Sequence, residues 1–350
     1  MKSRLALVVF GVLALALSAC SEKNLPRDSL DPEGPIARDI DNLFTSVFLI
    51  AVVVFALVQG ALIFGIVKYR RRKGEDDRPI KQSHGNTKLE ITWTIIPALI
   101  LAGVAVPTVG TLLDIRSEPD SPRIEITVTG HQWWWEFEFP QYGFTTANEI
   151  HIPAEANVYL TMTSDDVIHS FWLPKLNGKR DLVPGRTSHL TLIADDPTPP
   201  GEPLYGVCAE FCGLAHADMR LLVFVDTMEE FEEWAAEQAK PAVIPTEGPA
   251  AEGYATFERV CVACHAVAGT DYQARLAPDL THFGSRTSLG GASFVNDTDH
   301  LEQWLANPAD LKPMDPDRND IEGGRILGMP NFGLETGEID SLVALLQSWK

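Results

Sequence analysis

Residues 45–67, TSVFLIAVVVFALVQGALIFGIV, carry no charged side chain, and a run this long and apolar is satisfied only as a helix across a bilayer. A second apolar stretch follows from about Ile91 to Leu113. Pro97 and Pro107 inside it are tolerated because neighbouring helices satisfy the carbonyls they free. Between the two lies KYRRRK, and positive residues stay on the cytoplasmic side. The chain is therefore expected to cross inward, turn, and return, with residues 45–115 as a transmembrane hairpin and everything after Asp114 extracytoplasmic. The N-terminus agrees: MKSR, the run LALVVFGVLALAL and Ser18-Ala19-Cys20 have the layout of an export signal over residues 1–19, leaving 20–44 as an external segment. An uncleaved extra membrane helix is the alternative.

Length sets the expectation for the rest, since 350 residues are enough for two or three domains. With 48 acidic against 28 basic residues the formal charge is −20, which argues against nucleic acid and for a cationic partner. From Arg123 to Asp226 the pattern becomes short β-branched or alternating runs: RIEITVT, HQWWWEFEF, NVYLTMT, HSFWLP, TSHLTLI and RLLVFVD. This predicts an antiparallel β-sandwich, whose end loops are where a metal site is built. Alternation sends Trp133 and Trp135 to one face and Trp134 to the other, so one face is exposed or in an interface. TMEEFEEWAAEQA reads as an acidic helix, closing a domain at 116–239. KPAVIPTEGPA, residues 240–250, reads as a stiff tether to a module at 251–350.

The chemistry is concentrated in CAEFCGLAHADM, residues 208–219. Cys208, Cys212, His216 and Met219 are soft or borderline ligands, a set that selects copper over magnesium or calcium. His169, in DVIHSFWLP, supplies the missing ligand, and a copper pair bridged by the two thiolates uses them all. A Cys208–Cys212 disulfide is the competing reading, which an exported chain permits. The last two cysteines fall in Cys261-Val262-Ala263-Cys264-His265. C-x-x-C-H is the attachment motif of c-type haem, with the thiols on the vinyl groups and His265 on the iron. Zinc or thioredoxin-like uses of C-x-x-C need further cysteines or a βαβ context. Met329 in GMPNF is the preferred distal iron ligand, Pro330 fixing the chain direction and Asn331 and Phe332 bonding to and covering the site. Met314, in the loop-like KPMDPDRND, is the alternative, expected to be exposed.

The copper loop and its upstream histidine resemble those of cytochrome c oxidase subunit II, and the C-terminal motif resembles the members with a fused cytochrome c domain. The resemblance covers nearly everything after Cys20. It implies a multidomain membrane protein: a two-helix hairpin, a cupredoxin-like Greek-key β-sandwich, and an all-α cytochrome c domain. It further implies that Cys208 and Cys212 bridge a dinuclear copper (CuA) centre, that His169 and His216 each bind one copper, and that Met219 and the Glu210 carbonyl complete it. Trp133 then admits electrons, the Glu210 side chain reaches a magnesium at the subunit I interface, and Glu90, in Glu90-Ile91-Thr92-Trp93-Thr94, lies near a proton-pathway mouth. A merely solvated carboxylate is the alternative for Glu90. The implied partners are subunit I, other oxidase subunits, the membrane, and cytochrome c or the bc1 complex as donor. LSAC resembles a bacterial lipobox, which implies a lipid anchor at Cys20 on the outer face of a bacterial inner membrane. A nitric-oxide or nitrous-oxide reductase component and a copper-binding lipoprotein are the rival readings.

Overall fold

The computed structural model describes residues 25–70, 84–119, 123–315 and 327–350; the export signal, Cys20 and the basic residues Arg71, Arg72 and Lys73 lie outside them. Two long helices come first, α1 (Pro35–Tyr69) and α2 (Thr87–Arg116), which touch each other and are both long and apolar enough to cross a membrane. Their apolar side chains point outward, the arrangement that lipid requires. At ~1.5 Å per residue, the 35 residues of α1 exceed a hydrocarbon core of about 30 Å. The surplus lies before Thr45 and docks on the β-domain. Ala37 is buried, Arg38 makes a bidentate contact to Asp195 at 2.8 and 2.9 Å, and Lys175 holds Asp31 and Glu33 at 3.0 and 2.5 Å.

Ten strands form the second domain: β1 (Ile124–His131), β2 (Trp134–Phe139), β3 (Phe144–Ala147), β4 (Glu149–Pro153), β5 (Val158–Ser164), β6 (His169–Trp172), β7 (Arg180–Leu182), β8 (Ser188–Leu192), β9 (Leu204–Cys208) and β10 (Arg220–Asp226). They make two five-stranded sheets, β3-β2-β1-β5-β8 and β4-β10-β9-β6-β7. The expected sandwich is present but is not wholly antiparallel. β1 runs parallel to β5 and β4 to β10, because long connections return the chain to strands already laid down. HQWWWEFEF is not one strand either: His131 closes β1 and pairs with Trp134, which opens β2, leaving Gln132 and Trp133 at the turn. Ile126, Val128, Trp135, Phe137, Leu160, Met162 and Phe171 fill the space between the sheets, as period-2 alternation requires.

The acidic helix α3 (Met228–Gln238) starts at a reciprocal cap between Thr227 and Glu230 and buries Phe231 against Phe139 and Tyr142. The Pro-rich segment that follows has no helix or strand up to Glu247. It does not stand free as a tether. Lys240 and Ala242 are hydrogen-bonded to His282 and Ala268, and Ala242 and Ile244 lie on the C-terminal core.

That core belongs to a third, mainly helical domain of α4 (Gly248–Val260), α5 (Thr298–Ala306), α6 (Pro308–Leu311) and α7 (Thr336–Ser348). It also carries a two-stranded hairpin, β11 (Ser288–Leu289) and β12 (Phe294–Val295), an element the all-helical expectation lacks, turned by Gly290 and Gly291 at positive φ. Phe257, Leu342, Leu345 and Trp349 are fully or almost fully buried, and the Phe257 and Trp349 rings meet edge to face at 5.1 Å.

Candidate metal centre and haem site

β9 delivers Cys208 and β10 begins at Arg220, so the loop between them is pinned at both ends by neighbouring strands. Cys208 N–H donates to the Met219 carbonyl at 2.9 Å, closing the loop on itself. His169 opens β6, beside β9, with Phe171 opposite Cys208. This brings together residues far apart in sequence. His169 Nδ1 lies 3.9 Å and the Glu210 carbonyl oxygen 3.2 Å from Cys208 Sγ. His216 Nδ1 and Met219 Sδ lie 3.6 and 3.8 Å from Cys212 Sγ, and the two sulfurs are 3.8 Å apart. Both thiols are free, so the disulfide reading is not adopted.

The donors are therefore arranged in two sets, each an imidazole and a weak donor beside one thiol, with the thiols facing each other. Such a set fits two soft metal ions sharing two thiolates. The Cys212 thiol, against the cost of burial and with help from His169, holds Cys208 down at about 4, while the same contact and burial push Cys212 up. Cys208, Cys212 and Met219 belong to the sandwich core, which fixes the loop's root, whereas Glu210, Phe211 and Leu214 are exposed on its outer side.

In the third domain, α4 ends at Cys261, whose carbonyl accepts the Cys264 and His265 N–H groups at 3.1 and 3.0 Å. The turn aims both thiols and the imidazole into one mostly apolar cleft of about 940 Å³, counting its open mouth. His265 Nδ1 lies 2.6 Å from the Pro278 carbonyl; donating there, it leaves Nε2 as the nitrogen that could bind a metal. Burial keeps this imidazole neutral by lowering its pKa, and pushes the Cys261 thiol up to about 12. The buried Arg286 Nε at the same cleft has no partner, which fits the anionic carboxylate of a haem.

Family profiles for the transmembrane and periplasmic domains of cytochrome c oxidase subunit II match residues 30–110 and 143–225, and a cytochrome c profile matches 250–350. Cytochrome c oxidase subunit 2 of Alkalihalophilus pseudofirmus is 39% identical over 347 residues, 97% of this chain and 95% of the relative. The chain belongs to the cytochrome c oxidase subunit II family. The subunit 2 of Bacillus sp. (strain PS3) is 35% identical over 98% of the chain and 96% of its own length. Quinol oxidase subunit 2 of Bacillus cereus is 31% identical over 70% of the chain and 83% of its own. Among solved structures, the periplasmic domain of subunit II of cytochrome oxidase from Bradyrhizobium japonicum superposes with a TM-score of 0.32 at 29% identity, over 34% of this chain and 95% of that one.

Within this subunit II, Trp133 and Trp134 line the same cleft as Cys261, Cys264 and His265. Trp134 stacks on His131 of the sandwich at 4.2 Å and lines the cleft with third-domain residues, so its face of β2 is covered. Trp133 is 4% exposed, and its indole N–H donates to the Cys212 carbonyl at 2.9 Å. Met314 and Met329 both reach the cleft. Met329 packs on the third domain's core, while Met314 packs on the sandwich core, which leaves it half-buried rather than exposed. Phe332 lines the cleft, but exposed Asn331 accepts from Gly333 N–H within its own turn. Glu90 sits exposed in the first turn of α2.

The sequence reading passed over four residues that shape these sites. Asp166 lies 2.8 Å from His169 Nε2 and accepts the Gln132 and Val167 N–H groups at 2.6 Å each. Burial opposes both charges, yet the pair lowers the Asp166 pKa and, with Cys208, raises that of His169. The spacing of Asp166 three residues before His169 was a readable signal. Arg286, Glu149 and Lys312 act across long sequence separations and left no local one.

Proposed function

We propose that this subunit accepts electrons through a covalent c-type haem and relays them by a dinuclear copper centre to the haem and copper oxygen-reducing site of subunit I, in aerobic respiration coupled to proton translocation. The observation that carries this reading is the convergence of His169, Cys208, the Glu210 carbonyl, Cys212, His216 and Met219, beside a cleft lined by Cys261, Cys264 and His265. With both groups bound, the chain has one-electron carriers that change their bond lengths little.

The protein's own part is positioning. Asp166 orients His169, and the Pro278 carbonyl orients His265. Trp133 touches the copper loop through its indole and the haem cleft through its ring, which is the place of a residue that admits electrons to copper. Met329 is the distal iron ligand in this reading. The exposed Glu210 carboxylate is available to a magnesium shared with subunit I, and exposed Phe211 and Leu214 offer that subunit an apolar contact. The donor is cytochrome c or the bc1 complex. Because Arg38 holds Asp195, the start of α1 and the sandwich share one side. With KYRRRK at the opposite end, that side is the outside of a bacterial inner membrane, where a lipid on Cys20 would anchor the mature chain. Glu90 then faces the cytoplasmic side, at the head of a proton pathway.

Purification of the full-length chain in mild detergent tests the reading. The expected preparation holds a-type haem from subunit I, a haem that stays on this chain under denaturing conditions, and a mixed-valence copper resonance that Cys208→Ser or Cys212→Ser abolishes. Absence of a-type haem, or an unchanged copper spectrum in either variant, overturns it.

A further inference from the structure

Two buried ionisable groups at the junction of the sandwich and the third domain make no ion pair within 4 Å among the described residues, and are held by hydrogen bonds to neutral groups. Lys312, 3% exposed, donates to the carbonyls of Trp133, Asp218 and Gly290 at 2.8, 2.9 and 2.9 Å. The first is at the β1–β2 turn, the second precedes the copper-loop methionine, and the third is in the β11–β12 turn of Lys312's own domain. Three N–H donors meet three carbonyls, so the ammonium is fully satisfied. Glu149 on β4, 6% exposed, reaches the other way. It accepts Thr287 N–H and Oγ1 at 2.9 and 3.0 Å, Ser288 N–H at 2.5 Å, and the Ser288 hydroxyl. Around them Arg220 N–H donates to Gly291 O at 3.0 Å and Ser293 Oγ to Asp218 O at 3.0 Å, and at the exposed rim Arg275 donates to Thr145 Oγ1 at 3.1 Å and pairs with Glu138 at 3.6 Å. A Cβ on Gly291, which has φ of 80°, would stand 2.5 Å from Lys312 Nζ and 3.0 Å from Trp133 O, so only glycine lets the two domains come this close.

We infer that Lys312 and Glu149 are positioning residues that lock the C-terminal domain onto Trp133 and the copper loop, making a fixed junction rather than a swinging one. The inference rests on the functional reading above. Each lock sets an ionisable group against neutral dipoles in a buried contact, so release leaves carbonyls or N–H groups without their partner. A buried contact of this kind is little screened by salt, in contrast to the ion-pair encounter of two diffusing redox proteins. Lys312 also touches the main chain of Trp133, whose indole is bonded to Cys212. Loosening the lock therefore changes the distance between cleft and copper loop; Glu149 acts from outside the cleft, whereas Lys312 also lines it.

The test uses the complete oxidase with Lys312→Met, Glu149→Gln and the double variant. Two quantities are read: amide hydrogen exchange over residues 287–293 and 131–135, and the haem-to-copper electron-transfer rate after rapid photoreduction at low and high salt. In the parent the rate is expected to be independent of salt. In each variant exchange at the junction rises and transfer slows by about tenfold or more, the scale a small misplacement costs where partners must be held in register; in Glu149→Gln, which lies outside the cleft, the haem and copper spectra and redox potentials stay close to the parent's. Unchanged exchange and rate in the double variant overturn the lock, as does a salt-dependent rate in the parent. A parent preparation without the copper or haem signal would instead count against the functional reading, and exchange alone would then decide the lock.

Discussion

Asp166 is where a single side chain sets the behaviour of the copper loop, because its carboxylate holds His169 Nε2 while Nδ1 turns toward Cys208. Carboxylate support of this kind fixes the ring and raises its basicity. Asp166→Asn is expected to weaken copper retention about 10- to 100-fold with the fold intact, measured by competition with a copper chelator; parent-like retention would show that the ring is held by packing alone. On the haem side, the structure separates the two methionines by what each packs against. Met329 lies on the core that carries Cys261, Met314 on the sandwich, and a thioether axial ligand raises the haem potential relative to open coordination. Met329→Ala should therefore lose the near-infrared sulfur-to-iron band, lower the potential and bind carbon monoxide when reduced, whereas Met314→Ala keeps the band. The opposite pattern would move the assignment to Met314.

At the scale of elements, what was legible in the sequence was whatever a short window holds. The proposed copper ligands Cys208 to Met219 lie in one loop and the C-x-x-C-H motif in five residues, so residue type and spacing were enough to propose them. Strand runs such as NVYLTMT declared themselves by alternation and became β5. Pairing was not legible: the parallel partnerships of β1 with β5 and β4 with β10 are set by the return path of the chain, which no window contains. The break at Gln132 and Trp133 was hidden because aromatic residues favour strands on both sides of it. The haem domain's helix crossing was equally silent, though Gly253 marks it. A Cβ there would stand 2.0 Å from the Ser341 carbonyl oxygen, so α4 approaches α7 backbone to backbone. Gly253→Ala should cost about 1–3 kcal/mol through overpacking, outweighing alanine's better helix propensity of about 1 kcal/mol. Thermal loss of the haem circular-dichroism band would then come several degrees lower; an equal or higher midpoint would mean the helices can part without strain.

For the whole molecule, the arrangement decides where electrons arrive. The sandwich and the third domain each keep their own core, yet Trp133 is only 4% exposed beneath the cleft that holds Cys261 and His265. The segment from Lys240 to Glu247 lies along the third domain. In the proposed relay, the third domain therefore stands between a soluble cytochrome c and Trp133, and an attached haem would work at the effective concentration of a joined module, about millimolar or higher. The complete oxidase should accordingly turn over with a small artificial reductant and no added cytochrome c. Removal of residues 251–350 leaves the sandwich core and copper loop intact but uncovers Trp134 and the Asp218 and Trp133 carbonyls. In that form, turnover with the small reductant should fall sharply, and added cytochrome c should restore part of it with saturation and a fall at high salt, the mark of a diffusional, charge-steered encounter. Oxygen-electrode measurement of both forms across a salt series checks this. Equal rates for the two forms without cytochrome c would mean that electrons reach the copper loop by a route that bypasses the attached haem.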